Sequence, residues 1–352
     1  MPRPDIATRA CMLVMAVFLS ACGGGGDGNG TPTVDAGTLP LMGASLRVGV
    51  VYSAPEPEVK ATMDAAFAEC IAAGADTYEL SMMWQDLEAT PGIVDTSALE
   101  AYLATIVSSG LRPYLVIKTI DTNRLTLPSD LMYSGDPKRF AAGLSFDSAV
   151  VLHRFAAVLD KVVPLLVRYD GFYLAVGNES DIWLSGNSAE KPRFITFVQQ
   201  ARSRAHLLNQ RLAIGANCTY QVAMTDPAFL ADLLAVSDAA SFTYYPMNAD
   251  FTVRDSALVE GDLAALVAAA AGKAVLLQEA GYPSGYNPGP NNGSTMIKQK
   301  EFVGHVFAAL LAQPKIRYCS FNFMNDYTAA EVAFYQAYYG DSNRFHRLSI
   351  AW

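Results

Sequence analysis

The chain has 352 residues and a net charge of −9, and 51% of its residues are apolar while only 17% are charged. This length fits one large α/β barrel or two ordinary domains, with ample apolar material for a core. The acidic charge and the absence of lysine and arginine clusters exclude nucleic acid as an expected partner, because binding a polyanion depends on basic side chains that replace its counterions. Neutral glycans fit this surface better than acidic polysaccharides.

The first 21 residues have the pattern of a secretion signal. Arg3 and Arg9 precede an apolar run over residues 11–19 that is too short to span a bilayer. The Leu-Ser-Ala-Cys sequence that ends at Cys22 resembles the lipobox of bacterial lipoproteins, in which the cysteine is lipidated and becomes the first mature residue. An ordinary secretion signal with an incidental cysteine is the alternative.

Residues 22–40 are expected to form a flexible tether, because the glycine-rich run Gly23–Gly30 has nothing to bury. Glycine directly after the cysteine, as in enteric lipoproteins, favours sorting to the outer membrane. We therefore expect a monomer that Cys22 anchors by lipid in the cell envelope of a bacterium, with residues 41–352 as its single folded domain.

Short apolar runs rich in β-branched residues alternate with amphipathic stretches along this domain. The expected strands are Leu46–Tyr52, Asp76–Met82, Leu111–Lys118, Gly171–Gly177, Arg211–Ala216, Ala239–Tyr245, Lys273–Glu279 and Ile316–Asn322. The expected helices are Pro57–Ala73, Ser97–Ser109, Ser148–Val167, Lys191–Asn209, Ser256–Ala271 and Thr295–Leu311. Continuously apolar strands are typical of a parallel sheet covered on both faces. Eight strand–helix units predict a (β/α)8 TIM barrel of the α/β class.

Two connections are longer than the others, residues 119–147 after the third strand and residues 280–294 after the seventh. Both are expected at the C-terminal ends of the barrel strands, where this architecture places its active sites.

Two expected strands end on a glutamate at this face. The fourth runs into Asn178-Glu179 and the seventh into Gln278-Glu279. A single glutamate at a strand end is about as often a solvated residue or a helix cap as a catalytic group. Strands 4 and 7, however, lie across the barrel mouth, so that their carboxylates can face each other over a ligand. Retaining glycosidases need carboxyl groups roughly 5–5.5 Å apart, and a partly desolvated interior can raise the pKa of one while the other stays ionised.

These segments resemble clan A of the glycoside hydrolases. The resemblance implies that Glu179 is the acid/base, that Asn178 contacts the sugar 2-hydroxyl and that Glu279 is the nucleophile. It also implies a tyrosine at the end of the sixth strand that is hydrogen-bonded to the nucleophile. Tyr245 is the first choice for this tyrosine and Tyr244 the fallback.

Other segments match the clan in part. The stretch from Trp84 to Gly92 is similar to the W-x-x-L-E-x-x-P-G stretch of several members, and the sequence from Glu279 to Ser284 is nearest to the endo-β-1,4-galactanases and the β-1,3-glucanases. The arginine that many members carry on strand 2 is absent, with Ser81 in that region, and the strand-8 tryptophan is absent too. The resemblance therefore implies a divergent family.

Aromatic and charged side chains near the mouth are the expected substrate contacts. Trp84, Trp183 and Phe323 are candidate platforms for the apolar face of a sugar, with a structural role as the alternative for each. The candidates for binding hydroxyls are Lys118, Asp121 and Arg124 after the third strand, with a solvated loop as the alternative, and Asn217 after the fifth strand is a similar candidate.

The sequence therefore predicts a retaining, endo-acting hydrolase of β-linkages in a neutral glycan, without metal or cofactor. One alternative is a glycan-binding barrel that has no catalytic activity. Another is a different barrel enzyme, but an aldolase needs a lysine at a strand end, where Lys118 alone qualifies. A metallohydrolase needs a His-x-His motif, which the first strand lacks.

Overall fold

The computed structural model describes residues 41, 43, 45–51, 60–285, 292–322, 324 and 329–340. The expected secretion signal, the tether, the lipid site at Cys22 and the platform candidate Phe323 lie outside the described residues. Those assignments stay predictions.

Parallel strands form the centre of the fold. They are β1 Arg47–Val50, β2 Thr77–Met83, β3 Arg112–Lys118, β4 Tyr173–Ala175, β5 Ala213–Gly215 with Asn217–Thr219, β6 Ala240–Tyr244, β7 Val275–Ala280 and β8 Ile316–Phe321. Each strand pairs with its neighbour in the chain, and β8 pairs with β1. The first part of β5 pairs with β4 and the second part with β6, so the sheet closes on itself. The expected TIM barrel is confirmed.

Helices surround this barrel in the described part of the chain. They are α1 Lys60–Ala72, α2 Trp84–Leu87, α3 Ser97–Ser108, α4 Ala149–Arg168, α5 Ser180–Gly186, α6 Lys191–Leu208, α7 Val222–Thr225, α8 Pro227–Ala235, α9 Val259–Ala269, α10 Met296–Ala312 and α11 Ala329–Tyr339. The six expected helices are present with slightly shifted ends, whereas α2, α5, α7, α8 and α11 were not expected. Within the described ranges, no helix is long and apolar enough to cross a membrane.

The barrel interior changes from aromatic to polar toward the C-terminal ends of the strands. Near the other end, the Tyr114 ring stacks on Tyr318 and Tyr173, with centroids 4.7 and 5.0 Å away. At the far side of the same ring, Ser241 Oγ lies 2.8 Å from Tyr114 Oη and accepts from Asn217 Nδ2 at 3.1 Å. Buried polar groups are stable when they are hydrogen-bonded in this way. This layer forms the floor beneath the two strand-end glutamates.

Candidate active site

Glu279 reaches the barrel interior through a β-bulge in β7. The pairing of β7 with β6 shifts between Leu277 and Glu279, which makes Gln278 an extra residue. Neighbouring side chains of a regular strand point to opposite faces, but here both residues make interior contacts. Gln278 Nε2 donates to Asn178 Oδ1 at 2.8 Å, and Tyr245 Oη donates to Glu279 Oε2 at 2.7 Å.

Glu179 lies at a strained turn directly after β4. Gly177 has a φ of 137°, and a Cβ atom there would lie 2.5 Å from Ser180 Oγ, so this position requires glycine. Glu179 itself has a φ of 45°, in the left-handed region that residues other than glycine seldom occupy outside functional sites. Its backbone N–H donates to Asn217 Oδ1 at 3.0 Å, which holds the turn in place.

Two hydroxyl groups orient the Glu179 carboxylate. Thr243 Oγ1 donates to Oε1 at 2.9 Å, and Thr122 Oγ1 donates to Oε2 at 2.7 Å. The residue is only 9% exposed. A hydroxyl can donate to a carboxylate or accept from a carboxylic acid. Both contacts can therefore persist while Glu179 gains and loses a proton.

A third glutamate and a lysine share the interior with this pair. Burial, followed by the negative charges of Glu79 and Glu179, raises the pKa of Glu279 to about 8, whereas Lys118 and the Tyr245 hydrogen bond lower it. Burial also raises the pKa of Glu79. Burial alone lowers the pKa of Lys118, but the surrounding carboxylates more than reverse this, so that the ammonium stays charged.

Asn178 is fixed from both ends of its amide. Its Nδ2 donates to Asp121 Oδ1 at 3.2 Å, while its Oδ1 accepts from Gln278. The same Asp121 oxygen lies 3.2 Å from Lys118 Nζ. The structure thus brings Lys118, Asp121 and Asn178 together beside the two glutamates, and Asp121 is buried rather than part of a solvated loop.

Trp84 lies in the hydrophobic core and not at the mouth. It is 0% exposed, its ring centroid lies 4.9 Å from that of Phe155, and its Nε1 donates to Glu88 Oε2 at 2.8 Å. Glu88 also accepts from the Gly92 backbone N–H and from Arg154 Nε. The expectation that Trp84 is a sugar platform is wrong, because neither ring face is open. The W-x-x-L-E-x-x-P-G stretch is a packing motif in this protein.

Two further candidates are also buried. Trp183 is 3% exposed, packs edge-on against Phe146 and donates from Nε1 to the Lys138 carbonyl at 3.0 Å. Tyr244 is buried on the helix side of the barrel, where its hydroxyl donates to Asp262 Oδ2 at 3.0 Å. Trp183 is therefore not a platform, and Tyr245 rather than Tyr244 contacts Glu279.

Sequence reasoning missed Glu79 and the two threonines that hold Glu179. A usable pattern for Glu79 was present, because Thr77, Glu79 and Ser81 alternate along β2 and so share its inward face. No pattern marks Thr122 or Thr243, since an isolated hydroxyl residue occurs in most loops and strands.

We expect Trp84→Ala to lower the free energy of unfolding by about 3–5 kcal/mol, the usual cost of removing a large buried ring. The KM of the folded variant should stay close to that of the wild type, because the ring does not reach the mouth. Chemical denaturation and steady-state kinetics measure the two effects. A large rise in KM with unchanged stability would contradict this and show that Trp84 contacts the substrate.

We expect Tyr245→Phe to lower kcat/KM about 10- to 100-fold, because a hydrogen bond to a charged group contributes roughly 1.5–3 kcal/mol. In the nucleophile role that the clan resemblance implies, Glu279 must be ionised. Because this bond lowers the pKa of Glu279, the acidic limb of the pH profile should move to higher pH in the variant. Tyr244→Phe is the matched control, because it removes a hydroxyl that contacts Asp262 instead. Equal shifts of the limb in both variants would contradict the assignment.

Comparison with known proteins gives matches in structure only. No protein-family model matches the chain, and no curated protein matches it in sequence. A GH5_18 protein from Bifidobacterium longum subsp. longum, solved in complex with Manβ1-4GlcNAc, superposes with a TM-score of 0.64 at 14% identity, covering 81% of this chain and 70% of that one.

Two other solved structures are similar. A GH5_18 protein from Streptomyces cattleya, solved with GlcNAc, gives a TM-score of 0.60 at 16% identity over 81% of this chain and 72% of that one. An exo-β-1,4-mannosidase from Opitutaceae bacterium strain TAV5 gives a TM-score of 0.62 at 17% identity, covering 86% of this chain and 55% of that one. The chain is therefore similar in fold to glycoside hydrolases of family 5, which confirms at the level of the fold the resemblance drawn from its sequence.

Proposed function

We propose that the protein is a retaining glycoside hydrolase that cleaves β-linkages in a neutral glycan. The observation that carries the proposal is the pair of strand-end glutamates in one buried interior. Tyr245 holds Glu279 by a 2.7 Å hydrogen bond, and two threonine hydroxyls hold Glu179. Thr243 supports the pairing of the two glutamates, because it is the register partner of Glu279 on β6 and its hydroxyl donates to Glu179.

In the first step, the ionised Glu279 attacks the anomeric carbon while the bond to the leaving oxygen breaks. Glu179 gives its proton to that oxygen, so the aglycone leaves as an alcohol and the sugar stays as an ester of Glu279. Lys118 and the Tyr245 hydroxyl favour the ionised form of Glu279 that this attack needs, against the burial and the carboxylate charges that raise its pKa to about 8. The ionised fraction of Glu279, and with it the rate, should therefore grow as the pH rises toward 8.

In the second step, water attacks the same carbon from the opposite face of the sugar. Its proton passes to Glu179, the ester bond breaks and the Glu279 carboxylate is restored. Two inversions leave the β-configuration unchanged. Thr122 and Thr243 can adapt to both states of Glu179 by rotating their hydroxyl hydrogens.

The alternative functions fit the site less well. A Schiff-base lysine must be neutral to attack a carbonyl group, but Lys118 is paired with Asp121 and its pKa is raised. A protein that only binds glycans has no use for glutamates whose charges oppose each other's ionisation, because that repulsion costs free energy.

A panel of substrates tests the proposal. Aryl β-glycosides of mannose, glucose, galactose and xylose come first, followed by mannan, β-glucans, galactan and xylan. β-Mannosides lead the panel because two similar structures carry a mannosyl ligand or a mannosidase name. Hydrolysis of at least one β-glycoside by the wild type, and of none by Glu279→Ala, is the expected result. Binding of a glycan without any hydrolysis would favour the non-catalytic barrel. The sequence predicts internal cleavage, and the sizes of the first products from each polymer test that prediction.

A further inference from the structure

The last described helix, α11, ends over the mouth of the barrel. It follows β8 in the chain, yet its last turn contacts the rim at the ends of β2 and β3. Tyr338 Oη lies 3.9 Å from Met83 Sδ at the end of β2. The backbone carbonyls of Tyr338 and Tyr339 accept from Arg124 Nη1 at 2.7 Å and from Asn123 Nδ2 at 3.1 Å.

Two effects hold this helix end in place. The last carbonyl groups of a helix have no partner within the helix and are stabilised by donors and cations, which Asn123 and Arg124 supply. The Arg124 guanidinium also lies 3.9 Å from the centre of the Tyr338 ring, in cation–π contact. The attachment therefore depends on particular side chains of the loop after β3.

The hydroxyls of both tyrosines reach the neighbourhood of the two glutamates. Tyr338 and Tyr339 donate to Asp121 Oδ2 at 3.1 and 3.3 Å. The other oxygen of Asp121 accepts from Asn178 and pairs with Lys118. The helix end is thus one carboxylate away from Asn178, the residue that the clan resemblance places against the 2-hydroxyl of the sugar under attack.

We propose that α11 is a wall that ends the sugar-binding cleft, so that the site accepts only the terminal, non-reducing unit of a β-linked glycan. This proposal rests on the proposed function and replaces the internal cleavage that the sequence indicates. The wall adjoins Asn178 and therefore the sugar whose anomeric carbon is attacked. In this proposal, the last turn of α11 occupies the path of a glycan that continues beyond that sugar.

The polar groups at the wall suit a chain end. A terminal sugar has a free hydroxyl where an internal sugar has a glycosidic bond. Lys118, Asp121, Tyr338 and Tyr339 offer both donors and an acceptor for such hydroxyls. A glycosidic oxygen cannot donate a hydrogen bond in place of the free hydroxyl, and a site built on hydrogen bonds rejects such a substitution strongly.

Oligosaccharides of two to six units, labelled at the reducing end, test the proposal on the glycan that the substrate panel identifies. The wild type should release one monosaccharide at a time and should lower the viscosity of the polymer only slowly. If the first products were fragments from internal bonds, the proposal that α11 ends the cleft would be wrong, even if an aryl monosaccharide is hydrolysed normally. Failure of the wild type to hydrolyse the aryl monosaccharide and the oligosaccharides would overturn both this proposal and the proposed function.

Arg124→Ala tests whether α11 forms the wall, because it removes both the carbonyl cap and the stacking on Tyr338. Internal fragments should then rise about tenfold relative to the released monosaccharide. Arg193→Ala is the matched control, since Arg193 is an exposed residue that pairs with Glu190. Product patterns of Arg124→Ala identical to those of the wild type would overturn the role of α11.

A milder variant keeps the test valid if Arg124→Ala does not fold. Tyr338→Phe with Tyr339→Phe retains both rings and removes the two hydroxyls that reach Asp121. KM for the aryl monosaccharide should rise about tenfold, with a smaller change in kcat. An unchanged KM would show that these hydroxyls do not bind the terminal sugar and would overturn the proposal.

Discussion

Replacing Glu279 by alanine should lower kcat by about 10⁶-fold on every substrate, the loss that follows removal of a catalytic nucleophile in a well-studied hydrolase. Tyr245 donates its hydroxyl hydrogen to Glu279 at 2.7 Å and so orients this carboxylate for the role. Initial rates on an activated aryl β-glycoside measure the loss.

Azide provides the control for that variant. A small anion that enters the space left by Glu279 attacks the anomeric carbon directly, so any rescued product should be the α-glycosyl azide. Glu79→Gln is the matched substitution, since Glu79 lies in the same buried interior but does not receive the Tyr245 hydrogen bond. A 10⁶-fold loss in Glu79→Gln with full activity in Glu279→Ala would mean that Glu79, and not Glu279, is the nucleophile.

Replacing Glu179 by alanine should lower kcat/KM about 10²- to 10⁴-fold on natural glycosides, the range that general acid catalysis contributes. The loss should be far smaller on an aryl glycoside whose leaving group needs no proton. Added azide should increase turnover, because it attacks the sugar ester of Glu279 without a base. The product should be the β-glycosyl azide, which nuclear magnetic resonance distinguishes from the α-form.

The dependence on the leaving group separates a loss of acid catalysis from a loss of structure. Thr243→Val is the control, because it removes one hydrogen bond to Glu179 and keeps the carboxyl group. Equal losses of Glu179→Ala on good and poor leaving groups would contradict the acid role. An α-azide from Glu179→Ala would mean that the two glutamates have exchanged functions.

The barrel could be predicted because its signals are local. Each strand is a short apolar run and most helices have an apolar stripe, so eight units could be counted without knowing any contact. Glu179 and Glu279 could be found because both end such a run. Of the two candidate tyrosines, Tyr245, the first choice, is the one that donates a hydrogen bond to Glu279.

The remaining features of the site depend on contacts distant in the sequence. A bulge places both Gln278 and Glu279 inside the barrel, although simple alternation would put one of them outside. Trp84 and Trp183 looked like mouth residues because they follow strand ends, but both rings are buried, Trp84 against Phe155 and Trp183 against Phe146. The attachment of α11 to Arg124 joins segments more than 200 residues apart, which no local pattern reveals.

Trapping the covalent intermediate tests the central claim most directly. A 2-deoxy-2-fluoro β-glycoside with an activated leaving group slows both steps, because fluorine disfavours positive charge at the neighbouring anomeric carbon. The activated leaving group keeps the first step fast enough for the sugar ester to accumulate. Mass spectrometry of the digested protein should place one fluorosugar on the peptide that contains Glu279, with inactivation in proportion to labelling. A label on Glu179 or Glu79, or hydrolysis to the α-anomer without any label, would contradict the account.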